Sequence, residues 1–239
     1  MPRRIRGFFM IELAPSILAA NFACLGDQIA ATERGGATWV HIDVMDGLFV
    51  PSISLGVPVV KSVRACTGLK LDVHLMIVDP IRYIGAFADA GADNITFHLE
   101  AADDPDAVIS AIHERGLSAG ISVKPGTPLS EVRPYISKVE LLLVMSVEPG
   151  FGGQKYIPES TAKLVSARAM IDEIKPSVRL EVDGGVGNST VTEVLGTGAD
   201  LLVMGTAVYG HHPEVRSRHF TELFRKFEFS ADAERSDQQ

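Results

Sequence analysis

Cysteine is scarce in this chain, which contains only 2 cysteines, Cys24 and Cys66, among its 239 residues. Two cysteines cannot build the disulfide framework that stabilises small secreted domains. Cys24 and Cys66 also lie too far apart in the sequence for the closely spaced thiol pairs of a zinc ribbon. The sequence therefore excludes a disulfide-rich scaffold and predicts a reducing, cytoplasmic location.

Long apolar runs are lacking as well, because no segment reaches the ~20 uninterrupted apolar residues that a membrane-spanning helix requires. An arginine-rich segment, residues 3–6, precedes an apolar run in the order seen in signal peptides. Glu12 and Pro15 interrupt that run. We therefore expect neither secretion nor association with a membrane.

Positive charge is in deficit, since 22 Lys and Arg residues stand against 30 Asp and Glu residues, for a formal net charge of −8. Proteins that bind nucleic acids usually present a basic face, so the sequence predicts no nucleic-acid partner. Apolar residues are abundant, at 46% of the chain, and only 22% of the residues are charged. That composition predicts a folded core and excludes a mostly disordered chain.

Short β-branched apolar runs alternate with longer amphipathic stretches over most of the chain. The runs predict strands at residues 11–17, 38–44, 70–76, 94–98, 118–123, 141–145, 179–183 and 201–204. The amphipathic stretches predict helices at residues 25–34, 57–65, 80–90, 105–115, 129–136, 159–173 and 189–195. Asp79 before Pro80 and Asp104 before Pro105 match an N-cap followed by proline at the first helical position.

Alternation of strands and helices predicts parallel strands joined by right-handed crossovers. About eight such units in this length match a closed (β/α)8 TIM barrel, whose typical size is ~250 residues. An open doubly wound sheet is the alternative, but residues 15–18, Pro-Ser-Ile-Leu, lack its glycine-rich dinucleotide turn. We therefore predict an α/β fold with a single (β/α)8 barrel over residues 1–229 and a disordered polar tail over residues 230–239.

Polar side chains recur with period two at the ends of three predicted strands, where the active site of such a barrel lies. The shared faces hold His41, Asp43 and Met45 on the second strand, Asp72, His74 and Met76 on the third, and Glu181 and Asp183 on the seventh. Imidazole and carboxylate form a ligand set that suits Zn²⁺, Fe²⁺ or Mn²⁺. A lone histidine or aspartate at a strand end is more often structural. Unpaired charges on three strands inside a barrel would be costly, so the pattern favours a metal site.

Three glycine-bearing loops follow the sixth, seventh and eighth predicted strands, at residues 149–154, 183–186 and 204–207. Loops after the last two strands commonly bind phosphate in this fold through backbone N–H groups, and glycine permits the close approach. The loops therefore predict a phosphate-binding cradle. Because the chain is acidic, local N–H donors rather than long-range attraction must recognise the anion.

Several further residues near the strand ends have weaker interpretations. Three methionines are either core filler or a lining that excludes water from the active site, namely Met45, Met76 and Met145. His98 ends a strand without a second functional group in register and is interpreted as lining of the mouth. His211 and His212 lie in a terminal segment and are expected to be solvated.

Five blocks of sequence combine these residues in a specific way. They are residues 14–18, 41–47, 72–76, 145–154 and 181–185. Together they resemble the ribulose-phosphate 3-epimerase family, over a span from about residue 11 to residue 209. The resemblance implies a (β/α)8 barrel enzyme of carbohydrate metabolism that interconverts D-ribulose 5-phosphate and D-xylulose 5-phosphate.

The resemblance also implies a set of functional residues and partners. One divalent metal per subunit, Zn, Fe, Mn or Co, would be bound by His41, Asp43, His74 and Asp183. Asp43 and Asp183 would also form the acid–base pair. The substrate would contact Ser16, His74, Asp183, Gly150, Phe151, Gly152, Gly153, Gly184, Gly185, Gly205 and Thr206. Members of the family are usually homo-oligomers.

The chemistry follows from these residue types. Epimerisation beside a ketone needs one proton removed from one face and another delivered to the opposite face, a task for two carboxylates. The metal would stabilise the enediolate that forms between the two transfers. Asp72 and Glu181 would orient the histidine ligands or serve a structural role. The glycine-rich loop at residues 146–158 is a candidate lid.

The chain departs from the family pattern in several places without removing a catalytic group. Residues 124–128, Lys-Pro-Gly-Thr-Pro, stand where the family often has Asn-Pro-Ala-Thr-Pro, Leu48 and Ser52 where His and Asn are common, and Thr206 where Ser is frequent. The closest alternative is therefore a 3-epimerase of a six-carbon ketose phosphate such as D-allulose 6-phosphate. A sugar-phosphate decarboxylase or synthase would need an Asp-x-Lys-x-x-Asp motif, whose lysine is missing after Asp72. A catalytically silent sensor would not need both carboxylates.

Overall fold

The structure is a computed structural model that describes residues 10–236, with side chains described for residues 10–230. Its strands are β1 (Glu12–Pro15), β2 (Trp39–Met45), β3 (Lys70–Met76), β4 (Asn94–His98), β5 (Ser118–Val123), β6 (Leu141–Met145), β7 (Arg179–Asp183) and β8 (Leu201–Met204). All are parallel, and they pair in the order β1-β8-β7-β6-β5-β4-β3-β2. A parallel bridge between Ser16 and His41 joins the two ends of the sheet. The predicted (β/α)8 barrel is confirmed, and the open sheet is excluded.

Nine α-helices follow the strands within the described residues. They are α1 (Leu25–Arg34), α2 (Val57–Cys66), α3 (Ile84–Asp89), α4 (Pro105–Glu114), α5 (Leu129–Val132), α6 (Glu159–Ile174), α7 (Val191–Leu195), α8 (Thr206–Tyr209) and α9 (Pro213–Ser236). Short 3-10 helices extend several connections, at Ile17–Ala19, Phe22–Cys24, Pro80–Tyr83, Leu99–Ala101 and Arg133–Lys138. None of the helices in residues 10–236 is long and apolar enough to cross a bilayer.

The two predicted aspartate N-caps have opposite outcomes. The prediction for Asp104 is confirmed, because its carboxylate accepts a hydrogen bond from the Ala107 N–H at 3.1 Å. The prediction for Asp79 is wrong, because its backbone is left-handed, with φ of 49°, and its side chain makes no capping bond. Its carboxylate lies 3.7 Å from Arg82 instead, and a 3-10 turn rather than an α-helix begins at Pro80.

Helix α9 is the largest element that the sequence reading does not predict. It buries Phe220 and Phe224, and it lies so close to the end of α1 that a Cβ at Gly35 would be 2.5 Å from the Glu214 carbonyl oxygen. The helix continues to Ser236, so the described part of the predicted tail is helical rather than disordered. The apolar side chains before residue 230 anchor the helix, and the polar residues that follow continue it. The remaining tail, residues 237–239, and the arginine-rich segment 3–6 lie outside the described residues, and the domain boundary at residue 229 stays a prediction.

Buried side chains inside the barrel divide into two chemical types. The inward residues of β2, β3 and β4 include a set that we call the polar wall: His41, Asp43, Asp72, His74, Asn94, Thr96 and His98. The inward residues of β6 and β8 form the apolar wall: Leu141, Leu143, Met145, Leu201 and Val203. A separate and larger apolar cluster fills the space between the sheet and the helices. The candidate functional site lies where the two walls meet at the carboxyl ends of the strands.

Candidate active site

The pairing register of β2 and β3 brings four polar side chains together. His41 lies opposite Asp72, and Asp43 lies opposite His74. Since side chains alternate along a barrel strand, all four point into the barrel interior. The strand pattern in the sequence thus corresponds to a real cluster of side chains on one wall.

Asp183 joins this cluster from the end of β7. One ligand atom from each of His41, Asp43, His74 and Asp183 lies within 4.8 Å of the others. His41 Nε2 and His74 Nδ1 lie 3.2 Å and 3.3 Å from the same oxygen, Asp43 Oδ1. The second oxygen of Asp43 accepts a hydrogen bond from Ser16 Oγ at 2.5 Å. Two imidazole nitrogens and two carboxylates at this spacing fit a divalent transition-metal ion.

The other ring nitrogen of His41 is held by a buried carboxylate. His41 Nδ1 lies 2.6 Å from Asp72 Oδ2, and Asn94 Nδ2 donates to the remaining oxygen of Asp72 at 2.7 Å. Glu181 Oε1 lies farther from the same ring nitrogen, at 3.4 Å. Asp72 therefore orients the ring so that Nε2 faces the cluster, while Glu181 contributes a longer contact.

His74 is held by a different arrangement. Its Nε2 lies 3.0 Å from His98 Nε2, and His98 Nδ1 lies 3.2 Å from Glu100 Oε2. The sequence predicts His98 as lining of the mouth, but the structure places it fully buried behind His74, away from the cavity wall. The signal was present in the sequence, because Asn94, Thr96 and His98 alternate along β4 as the polar residues of β2 and β3 do.

Burial and neighbouring charges give the carboxyl groups of Asp43 and Asp183 different pKa values. Burial opposes ionisation of Asp43, but the charge of His41 and the hydrogen bond from its ring outweigh it and lower the pKa of this carboxyl. Burial and the neighbouring Asp43 charge raise the pKa of Asp183 to about 6. Burial also opposes protonation of His41, but the charges of Asp43 and Asp72 raise its pKa well above the usual value. The same surroundings thus shift the two pKa values in opposite directions, down for Asp43 and up for Asp183.

A cavity of about 430 Å³ opens above these residues. Asp43 and Asp183 face it, whereas His41 and His74 are fully buried behind its wall. His74, for which the sequence predicts a direct substrate contact, is therefore not among the residues of the cavity wall. Three methionines that the sequence singles out lie on the wall, Met45, Met76 and Met145.

Glycine-rich loops form the other side of the cavity. The loop residues predicted to contact substrate all line it, namely Gly150, Phe151, Gly152, Gly153, Gly184, Gly185, Gly205 and Thr206, together with Ser16. Gly184 and Gly185 have φ of 120° and 64°, which residues with side chains rarely adopt. A Cβ at Gly185 would also lie 2.2 Å from the backbone nitrogen of Tyr156. Glycine is therefore required for the close contact between these two loops.

His211 has a position that the sequence reading misses. Its side chain is exposed, as expected, but it also lines the cavity beside the loop that holds Gly205 and Thr206. Among the described residues of the cavity wall, it is the one whose side chain can carry a positive charge. No strand pattern marks this position, because it follows the short helix α8 rather than a strand.

Comparison with known proteins identifies the family. The sequence profile of the Ribulose-phosphate 3 epimerase family matches residues 12–209. The chain belongs to this family. The ribulose-phosphate 3-epimerase of Mycobacterium tuberculosis (strain ATCC 25618 / H37Rv) is 50% identical over 198 residues, which cover 83% of this chain and 86% of that protein. The ribulose-phosphate 3-epimerase of Bacillus subtilis (strain 168) is 49% identical over 202 residues, which cover 84% and 93%. At this similarity, the chain is an epimerase.

Solved structures share the barrel at much lower identity. KGPDC from Streptococcus mutans aligns with a TM-score of 0.68 and 14% identity, over 91% of this chain and 99% of that one. A ligand complex of the same protein aligns with a TM-score of 0.70 and 15% identity, over 91% and 98%. These likenesses support the fold alone.

Proposed function

We propose that this epimerase interconverts D-ribulose 5-phosphate and D-xylulose 5-phosphate by two-base proton transfer at C3. The supporting observation is that Asp43 and Asp183 face one cavity from strands that β1 and β8 separate in the sheet. Such a placement lets two carboxylates approach a bound sugar from different sides.

The proton transfers follow from these two side chains. One carboxylate takes the proton from C3, the C–H electron pair forms the C2–C3 double bond, and the C2 carbonyl oxygen gains the negative charge. The other side chain, in its acid form, then donates a proton to the opposite face of C3. The lowered pKa of Asp43 and the pKa of about 6 for Asp183 support a pair in which Asp43 stays ionised and Asp183 exchanges a proton near neutral pH.

The donor set supports a divalent cation, Zn, Fe, Mn or Co, bound by His41, Asp43, His74 and Asp183. When bound, it would supply positive charge that stabilises the enediolate. Ser16 would hold the Asp43 carboxylate through its hydrogen bond and contact the sugar.

The glycine-rich loops and the methionines of the cavity wall support binding of a sugar phosphate. Backbone N–H groups of the loops that contain Gly184, Gly185, Gly205 and Thr206 would bind the phosphate. The wall methionines would exclude water from the reacting carbon. The loop at residues 146–158 would close over the substrate as a lid, with Phe151, which is 57% exposed, at its tip.

Sugar length distinguishes this reaction from its alternative on D-allulose 6-phosphate. Leu48, Ser52 and Lys124, where the chain departs from the family pattern, all lie outside the cavity wall. We therefore expect a higher kcat/KM for D-ribulose 5-phosphate, and a higher value for the six-carbon sugar would reassign the substrate. A cytoplasmic location and a homo-oligomeric state stay predictions.

The proposal is tested by incubating the protein with D-ribulose 5-phosphate in D₂O and following deuterium at C3. We expect incorporation with inversion, and its loss when a chelator removes the metal. Asp43→Asn and Asp183→Asn should each slow epimerisation by about 10²–10⁴-fold. Asp106→Asn is the control, because this exposed carboxylate pairs with Lys138 on the outside of the barrel. Full activity in either site variant would remove the two-base assignment.

A further inference from the structure

A chain of buried hydrogen-bonding groups leads outward from His74. His74 Nε2 contacts His98 Nε2 at 3.0 Å, and His98 Nδ1 contacts Glu100 Oε2 at 3.2 Å. Both rings are fully buried, so water cannot replace either partner. The donor and the acceptor of each of these two hydrogen bonds must therefore be found among His74, His98 and Glu100.

Glu100 fixes the direction of the chain because it acts as an acceptor. Its Oε1 accepts from the Lys124 N–H at 2.8 Å and from the Thr127 hydroxyl. These hydrogen bonds and the contact with His98 outweigh burial and lower the pKa of Glu100 to about 2, so Oε2 needs a donor. His98 Nδ1 must supply that proton. In the tautomer that carries its proton on Nδ1, the lone pair of the ring lies on Nε2, so His98 Nε2 is an acceptor.

The same reasoning determines the state of His74. Since His98 Nε2 accepts, His74 Nε2 must carry the proton, and the lone pair of His74 then lies on Nδ1. His74 Nδ1 is the nitrogen that faces Asp43 Oδ1, at 3.3 Å. The chain from Glu100 thus selects the His74 tautomer that can bind a cation.

We propose that His98 and Glu100 are positioning residues that select the Nε2–H tautomer of His74 and so prepare its Nδ1 to bind a divalent cation. This inference rests on the metal site of the proposed function. His41 reaches the same site through the opposite nitrogen, Nε2, because Asp72 holds its Nδ1. The two ligands therefore need two different supports.

The support of His74 is itself anchored in the loop after β5. Lys163 Nζ donates to the carbonyl oxygens of Lys124, Pro125 and Thr127, at 2.6 Å, 3.2 Å and 2.7 Å. This loop supplies the two donors that hold Glu100. The ring of Phe49 lies 4.9 Å from the His98 ring, and Lys124 Nζ lies 4.0 Å above Phe49. Phe49 thus packs between the His98 ring and the side chain of Lys124.

The tautomers are tested directly by ¹⁵N NMR of the histidine rings in the metal-free protein. We expect the proton on Nδ1 of His98 and on Nε2 of His74. A proton on Nε2 of His98 or on Nδ1 of His74 would overturn the proposal. This readout does not depend on epimerisation, so it is separate from a failure of the proposed function, which chelator-insensitive deuterium exchange would reveal.

The consequence for metal binding is tested with two variants of His98. His98→Phe keeps a ring against Phe49 but removes the acceptor, and Zn²⁺ affinity in a chelator competition should fall by about 10–100-fold. His98→Gln restores an acceptor near Nε2 and should recover most of that loss. His113→Phe is the matched control, since His113 pairs with Glu140 at 2.8 Å outside the site. Unchanged affinity in His98→Phe, or equal losses in all three variants, would contradict the proposed role.

Discussion

The polar wall and the apolar wall share one barrel but contribute to the site in different ways. On the polar wall, side chains hold one another: Asp72 orients His41, and His98 holds His74. On the apolar wall, Leu143 and its neighbours only fill space, and the loops above them present backbone groups at Gly184 and Gly185. The geometry of the site thus depends on side-chain contacts at the polar wall and on backbone groups of the loops at the apolar wall. We expect the two sides to fail differently when they are mutated.

The largest effect should come from the support of His41. Asp72→Asn removes the charge that faces His41 Nδ1 at 2.6 Å, so we expect a loss of about 10–100-fold in Zn²⁺ affinity. Leu143→Ala on the apolar wall should lower the free energy of unfolding by about 2–5 kcal/mol without changing that affinity. Chelator competition and denaturant unfolding separate the two results. If the two variants bind Zn²⁺ with equal affinity, the polar wall and the apolar wall do not differ in their contribution to metal binding.

The loop side should respond to substitution of a glycine. Gly185→Ala places a Cβ 2.2 Å from Tyr156 N at a φ of 64°, so the loop must move. Strain of about 1–3 kcal/mol corresponds to a rise in KM of roughly 5- to 140-fold. Zn²⁺ affinity should stay near the original value, since Gly185 is not among the metal-ligand residues. Steady-state kinetics at saturating Zn²⁺ measure the change, and an unaltered KM would argue against the phosphate cradle.

Metal binding should weaken in acid. The pKa of Asp183 is raised to about 6 by burial and by the Asp43 charge, so below that pH the carboxyl binds a proton that a cation must displace. His41, whose pKa is also raised, adds competition of the same sign. Apparent Zn²⁺ affinity should therefore fall between pH 7 and pH 5, by about tenfold per pH unit below 6 for each proton displaced. Calorimetry in buffers of different ionisation enthalpy counts the protons released, and a pH-independent affinity would rule out this competition.

The smallest effect is expected at the rim of the cavity. His211→Ala removes the one side chain of the described wall that can be cationic, and an exposed charge contributes only about 0.2–1 kcal/mol. KM should therefore rise by about 1.4- to fivefold while kcat is unchanged. His212→Ala is the matched control, because this exposed neighbour does not line the cavity. A similar shift in both variants would indicate no specific contact.

Much of the polar wall was predictable, because period-two alternation on β2 and β3 identifies the inward side chains of a barrel strand, and the same pattern identifies Asp183 on β7. The bounds of β3 to β8 agree with the predicted ones because turn residues flank these strands clearly. The support of each histidine was less accessible. It depends on the register between strands, such as His41 opposite Asp72, and a single sequence does not specify register.

The sequence also failed to predict the position of His98, the helix α9 and the backbone of Asp79, and each failure has a structural cause. His98 reaches His74 only because β3 and β4 are neighbours with His74 opposite Thr96. Helix α9 depends on tertiary packing of Phe220 and Phe224 against the barrel, and its polar end gives little local signal. Asp79 shows that an Asp-Pro pair alone does not make an N-cap, because a cap also needs an extended backbone and this residue is left-handed.

The account depends most on Asp43 and Asp183 working on opposite faces of one carbon. The direct measurement is C3–H exchange in D₂O, with D-ribulose 5-phosphate and D-xylulose 5-phosphate supplied separately to Asp43→Asn and Asp183→Asn. We predict opposite preferences, so that each variant exchanges the epimer whose proton faces the remaining carboxylate and fails with the other. If one variant loses exchange with both sugars while the other loses it with neither, a single base performs both transfers and the account is wrong.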